Sequence, residues 1–435
     1  MKPPCLERAR LADGRLVDLA LDACGTTVVD LREAAESGPA TGSEEAWTFD
    51  GWVGAGRRLE PGGSVDLGGR LVLPPFVNGH VHLDKTFVGS RWQPYRGGPT
   101  VSERVAVERE LRNEVDVPVA HRALALAEAL IGQGTGVART HVDVDPDVRL
   151  DHLEAVLALR ESLGGRLDLQ VVAFPQSGVL TSPGVAELLD EAVLQGADVV
   201  GGLDPHEFDG DAERHLDAVF AIAERRSVPV DLHLHELGRH GERALELLAD
   251  RTEAHGMQGL VTVSHAYGLG TLSAESLRRV GERLARADVR VMTNGPAGPM
   301  PPVLLLRSLG VTVFSGTDNV RDAWWPYGDG DMLTVARTVA YQSGFRRDEE
   351  LEVALDLVTD AAAHALALDG YGIAPGRPAD LVILEASCAA EAVAAPARRT
   401  VVRSGTPLTA ATTPLTPAPR AGSIRPQNHL TSSRS

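Results

Sequence analysis

The stretch LPPFVNGHVHLDKTF, residues 73 to 87, decides how the chain is read. Two prolines close off what precedes them, and a short apolar run then leads into His80, His82, Asp84 and Lys85. Side chains on a strand alternate with period two, so the HxH pair puts both imidazoles on one face. An apolar strand with a polar end suits a barrel of parallel strands, where chemistry collects at the C-terminal ends.

Outward from there the pattern repeats. Short apolar runs recur at Phe76–Leu83, Val137–Val144, Leu169–Phe174, Asp198–Gly202, Val228–Leu234, Leu260–Ser264, Val289–Met292 and Val311–Ser315. Amphipathic stretches follow most of them, as at Asp151–Leu163, Val185–Leu194, Glu213–Arg225, Gly241–Thr252 and Ala274–Arg286. Alternating strand and helix patterns predict an α/β fold. Eight units over about 290 residues predict a closed (β/α)8 TIM barrel rather than an open sheet.

The flanks differ. Residues 1 to 73 read as short β segments (Leu16–Leu21, Thr26–Leu31, Gly69–Leu73) with a polar loop from Glu36 to Glu45. PADLVIL and RTVVRSG, within Tyr371–Pro407, return to that character. The expectation is a small β-sandwich domain built from both chain ends, 1–73 and 369–410, beside a barrel at 74–368. The Thr/Pro/Ser-rich segment 411–435 reads as a disordered tail.

Composition narrows the partners. The 435 residues carry a net charge of −18, which repels phosphate backbones, so no nucleic acid is expected. Cys5, Cys24 and Cys388 are scattered without a CxxC, pointing to a reducing cytoplasm. No apolar stretch suits a secretion leader or a membrane span. The only lysines are Lys2 and Lys85, which makes a lysine inside a motif conspicuous.

Three more runs end as the first does. VDLHLHE carries His233, His235 and Glu236; VTVSHAY carries His265; VTVFSGTDN carries Asp318 and Asn319. Core histidines come singly, whereas four strands ending in His or Asp point to a metal site.

With these pieces in place, the chain resembles the metal-dependent amidohydrolase superfamily, and within it the bacterial cytosine deaminase branch. The resemblance is carried by LPPFVNGHVHLDKTF, RTHVD (139–143), LQVVAFPQSGVL (169–180), GADVVGG (196–202), DLHLHE (231–236), VSHA (263–266), GTDNVRDAWWP (316–326) and YGIAPGRPADLVIL (371–384). It implies that His80, His82, His233 and Asp318 hold one divalent metal, Zn2+, Fe2+ or Mn2+. His265 and Asp318 would orient the attacking water and take its proton. Glu236 would relay a proton to the substrate, Gln176 would bond the polar edge of the heterocycle, and Trp324 would wall the pocket. A site of three imidazoles and one carboxylate with an open position lowers the pKa of bound water from roughly 16 to about 7. Hydroxide so formed can attack a ring carbon bearing an amino group, and an acid must then protonate the leaving nitrogen.

The match departs in places. Asn319 stands where the cytosine enzymes carry a second Asp, and an amide can donate as well as accept. His235 replaces an Asp and is a candidate second proton carrier or substrate contact. Lys85, with Asn319 and His235, is similar to the pattern of the N-isopropylammelide amidohydrolases; its alternative role is a salt bridge to Asp84 or a loop carboxylate. Two-metal relatives bridge their ions with a carboxylated lysine, and no lysine follows residue 85. One metal is therefore expected.

His141, Asp143 and Asp145 read as floor or scaffold groups, and His206 and Glu207 as substrate contacts. His121, His152, His215, His240, His255, His364 and His429 read as surface groups. The long link from Thr86 to Ala120 reads as a lid or as a contact in a homo-oligomer. The expected function is hydrolytic deamination of a small amino-substituted heterocycle, cytosine-like or triazine-like. The alternatives are cleavage of an amide or N-alkylamino bond, and a barrel turned to binding or regulation.

Overall fold

The computed structural model describes residues 2–36, 45–295 and 297–408. The tail and most of the Glu36–Glu45 loop lie outside the described residues, as does His429.

Eight parallel strands run in sequence order: Phe76–Val81, Thr135–Asp143, Asp168–Phe174, Val199–Leu203, Val230–His233, Val261–Ser264, Val289–Thr293 and Val313–Ser315. Each corresponds to one of the eight apolar runs. The ring closes where Val81 bridges Asp318 in parallel and the Asp318 N–H donates to the His80 carbonyl at 2.8 Å. Two glycines permit this seam. A Cβ on Gly316 would lie 2.4 Å from the His80 nitrogen, and one on Gly79 would lie 2.4 Å from the Phe314 ring.

Helices pack outside the ring because their apolar faces match the strands' outward residues. Asp151–Leu163 buries Leu153, Val156, Leu159 and Leu163, the 3–4 spacing of a single helical face. Ala212–Arg226 is started by Asp211, whose side chain accepts the Arg214 N–H at 3.1 Å. Ala274–Arg286 is started in the same way by Ser273 and buries Leu277, Val280 and Leu284. No helix among the described residues is long and apolar enough to cross a membrane.

A second sheet of nine strands is made by both chain ends. Its centre joins Leu71–Leu73, from before the barrel, antiparallel to Leu381–Leu384, from after it. Leu6, Leu19, Val65, Leu67, Leu381, Ile383 and Val402 fill one of its faces with Trp52. Trp52 belongs to a helix, Phe49–Ala55, that the β reading of this region missed. Its start is set by Thr48, whose hydroxyl accepts from Gly51, and its stop by Gly56 in the left-handed region at φ 59°. These are single-residue cues in a segment too short to show periodicity.

Candidate active site at the barrel mouth

Every barrel strand delivers a polar group at or just past its C-terminal end. They are His80 and His82, then His141 and Asp143, then Gln176, Asp204, His233, His265, Asn294 and Asp318. All of these except Asn294 are buried. The chamber they form is lined by His82, Lys85, Phe174, Gln176, Leu203, His233, His235, His265, Asp318, Asn319 and Trp324. Of the eleven residues singled out in the sequence, only two do not line it. His80 is fully buried within the floor, and Glu236 is turned aside.

The floor is a stack of imidazoles. His80 sits 3.8 Å from His141 and 4.6 Å from His233, ring centre to ring centre. Nε2 of His80 and Nε2 of His82 face the same Asp318 oxygen, at 3.5 and 3.3 Å. The far nitrogens fix both tautomers. Ser264 donates its hydroxyl hydrogen to Asp231 at 2.6 Å, so at 3.0 Å it accepts from His80 Nδ1. His82 Nδ1 faces the His141 carbonyl at 3.2 Å, and a carbonyl only accepts. In the neutral rings both Nε2 atoms therefore carry lone pairs pointed at a carboxylate oxygen.

Lone pairs facing a carboxylate repel unless a cation lies between them. His80 Nε2, both nitrogens of His233 and His265 Nδ1 are buried and have no hydrogen-bond partner. Buried polar atoms without partners are costly and ask for an explanation. Two overlapping sets bring their ligand atoms within 4.8 Å of one another: His80, His82 and Asp318, and His80, His233 and His265. Burial pushes the pKa values of His80, His233 and His265 down, keeping them neutral, the form that binds metal. The residues fit a divalent ion. Asn294 steadies the carboxylate by donating to Asp318 Oδ2 at 2.6 Å.

The two candidate proton-handling groups, Glu236 and His235, are placed differently. Both oxygens of Glu236 are engaged by the loop after the fourth strand. Oε1 accepts the backbone N–H groups of His206 and Glu207 at 2.6 and 2.9 Å, and Oε2 lies 2.9 Å from His206 Nδ1. His235 lines the chamber instead, stacked 4.5 Å from His265. Its Nδ1 lies 2.7 Å from Asp204, which also accepts the backbone N–H groups of His235 and Glu236. Burial works against the charged imidazole, but the adjoining Asp204 carboxylate overrides it and holds the His235 pKa above the usual value. Asp204 was not picked out in the sequence; the LDP turn directly after the fourth strand was its only sign.

On the opposite wall, Lys85 Nζ is 2.7 Å from Asp143 and 2.8 Å from Gln176 Oε1. Lys85 is thus bridged to a carboxylate at the end of the second strand, not to Asp84, and it also lines the chamber; Asp84 pairs with His152 at 3.0 Å. Asn319 donates to Asp322 at 2.6 Å. Two of the histidines read as surface groups are not. His215 is fully buried, 2.6 Å from Asp209, and His152 is largely covered. His215 sits on the buried face of its helix with Leu216 and Val219, and Gly202 of the fourth strand leaves room for its ring.

Comparison with known proteins agrees with this geometry. Residues 64–408 match the model of the amidohydrolase family. The N-isopropylammelide isopropyl amidohydrolase of Pseudomonas sp. strain ADP is 32% identical over 349 residues, covering 78% of this chain and 86% of that protein. The crystal structure of N-isopropylammelide isopropylaminohydrolase from Burkholderia multivorans superposes with a TM-score of 0.82 at 41% identity, over 94% of this chain and 98% of that one. The 5-methylcytosine deaminase of Klebsiella pneumoniae, liganded with 5-fluorocytosine, gives 0.79 at 28% identity, over 93% and 97%. The chain belongs to the amidohydrolase family and is a hydrolase of carbon–nitrogen bonds.

Proposed function

We propose that the enzyme removes an amino or alkylamino substituent from a small nitrogen heterocycle by hydrolysis, using one divalent metal ion. The observation that carries this reading is the convergence of His80, His82, His233, His265 and Asp318 at one barrel mouth, with protonatable His235 on the wall beside them. The relatives that act on ammelide and cytosine derivatives support the heterocycle, and the isopropylaminohydrolases support an alkylamine as leaving group.

His80, His82, His233 and Asp318 would hold the ion. When bound, it supplies Lewis acidity, making a water acidic enough to lose a proton near neutral pH. His265, against Asp318, accepts that proton. The water oxygen bonds to the ring carbon and the carbon–nitrogen bond breaks. His235, its Nδ1 held by Asp204, delivers a proton from Nε2 to the departing nitrogen. Lys85, Gln176 and Asn319 hold the ring's polar edge, and Phe174 and Trp324 flank its faces.

The test is a screen of metal-loaded protein on amino- and N-alkylamino-substituted pyrimidines, triazines and pterins, read as ammonia or amine release. Turnover abolished by Asp318→Ala supports the reading. Fully loaded protein that is inert across the panel would sink it.

A further inference from the structure

Glu108 is far from the strand ends in sequence, yet its carboxylate reaches the back of the chamber. It lies on the helix Val101–Glu114, within the long link after the first barrel strand. The start of that helix is pinned by Thr100 and Glu103, each side chain accepting the other's backbone N–H, at 3.2 and 3.0 Å. Glu108 Oε2 accepts from Gln176 Nε2 at 2.9 Å and from Trp324 Nε1, and Lys85 Nζ lies 3.5 Å away. Its side chain is 6% exposed. Gln176, Trp324 and Lys85 line the chamber; Glu108 stands behind them.

The consequence is orientational. A glutamine amide can turn over with little change of shape, exchanging a donor for an acceptor. Here Lys85 Nζ can only donate, so Oε1 faces Lys85 at 2.8 Å, and Nε2 is turned to Glu108, which accepts from it at 2.9 Å. The indole of Trp324 is held by the same oxygen. We propose that Glu108 is a positioning residue for substrate recognition, fixing the donor–acceptor pattern of Gln176 and the plane of Trp324 from the helix that covers the mouth. This rests on the chamber being the substrate site.

Fastening and positioning can be separated, because a second clamp holds the helix. Arg112 donates to Glu108 Oε1 at 3.2 Å, but its bonds to Asp145, at 2.8 Å, and to Asp143 do not depend on Glu108. In Glu108→Gln the helix therefore stays seated, while one of two acceptor oxygens is lost. The experiment uses full-length, metal-loaded protein labelled with 5-fluorotryptophan. Its five tryptophans give separable fluorine signals, and Trp324→Phe assigns the relevant one. Glu108→Gln should move the Trp324 signal and raise KM roughly tenfold, with kcat held within about threefold. Glu108→Ala should do both more strongly. Glu110→Gln, exposed on the same helix, should do neither.

A Glu108→Gln enzyme with wild-type KM on a substrate the parent turns over overturns the inference. So does an equal loss of kcat and kcat/KM with KM unchanged. If no heterocycle is turned over, the proposed function falls by itself. The inference is then decided by the Trp324 signal: moved by Glu108→Gln but not by Glu110→Gln, it stands; unmoved, it falls.

Discussion

Buried Asp204 and partly exposed His235 form a pair in which Asp204 Oδ2 lies 2.7 Å from His235 Nδ1, leaving the other ring nitrogen on the chamber side. The carboxylate also accepts two backbone N–H groups, so it cannot swing away without leaving them unpaired. The next residue, Glu236, spends both its oxygens on the neighbouring loop. The two acids adjoining the fifth strand thus have different partners, one the ring of His235 and the other the loop after the fourth strand.

His235→Gln should therefore lower kcat by about 10²-fold or more, the usual worth of a positioned proton donor. Glu236→Gln should cost less. Asp204→Ala should reduce kcat through His235, and the double variant Asp204→Ala/His235→Gln should be no worse than His235→Gln alone. Steady-state kinetics on any turned-over heterocycle decides it. A larger loss from Glu236→Gln would return the proton-delivery role to the glutamate.

Metal removal should silence the enzyme and loosen it together. Dialysis against a chelator is expected to abolish turnover and lower Tm, because it leaves lone pairs of His80 and His82 facing Asp318. Divalent metal added back should restore both. Metal analysis should find about one ion per chain, the number an open catalytic site of this ligand type holds. His233→Ala should fail to retain it.

His152 and Asp84 predict a pH dependence of stability away from the metal. Burial opposes the charged imidazole, but Asp84 at 3.0 Å overrides it, so the folded pKa is raised above the unfolded value. Such a group stabilises fully below the unfolded pKa, and the contribution is lost as pH rises through the folded one. Denaturant titrations from below the ordinary histidine pKa to above the raised one should show the wild type's margin over His152→Gln declining with pH, because the lowered His80, His233 and His265 act alike in both proteins. That margin should be about 2 kcal/mol on the acidic side. A margin that stays constant with pH would remove His152 as a source of pH dependence.

Two glycine substitutions should behave oppositely. Gly316→Ala puts a Cβ 2.4 Å from the His80 nitrogen at the barrel seam, where backbone must shift. A loss of about 3 kcal/mol, with impaired metal retention, is expected. Gly54→Ala, in the helix Phe49–Ala55 with no atom within 4 Å of the new Cβ, should gain up to about 1 kcal/mol. Thermal melts of the two variants check both signs.

Much of this was readable from residue order alone. The eight strands announced themselves because each is an apolar run bounded by polar or turn residues, and strands ending in His or Asp can only converge in a closed ring. What escaped reading was set by partners distant in sequence. Glu108 looks like one acid among several on a charged helix until the fold carries it to Gln176 and Trp324. Asp231 and Ser264 read as ordinary strand residues, yet together they fix the tautomer of His80. Glu236 and His235 are adjacent, and only the loop after the fourth strand decides which faces the chamber. His152 and His215 were readable in principle. They share helical faces with Val156 and Val219, each four residues on, and applying the 3.6-residue period to polar as well as apolar positions places both inward.

The bridge between Val81 and Asp318 gives the ring an order of completion. His80, His82, His233 and His265 are all present in a chain that lacks its eighth strand, but Asp318, the carboxylate that faces the Nε2 atoms of His80 and His82, is not. Asp318 arrives with the strand that shuts the circle, its own N–H hooked to the carbonyl of His80. The strand that shuts the circle is thereby also the one that completes the set of side chains proposed to hold the ion.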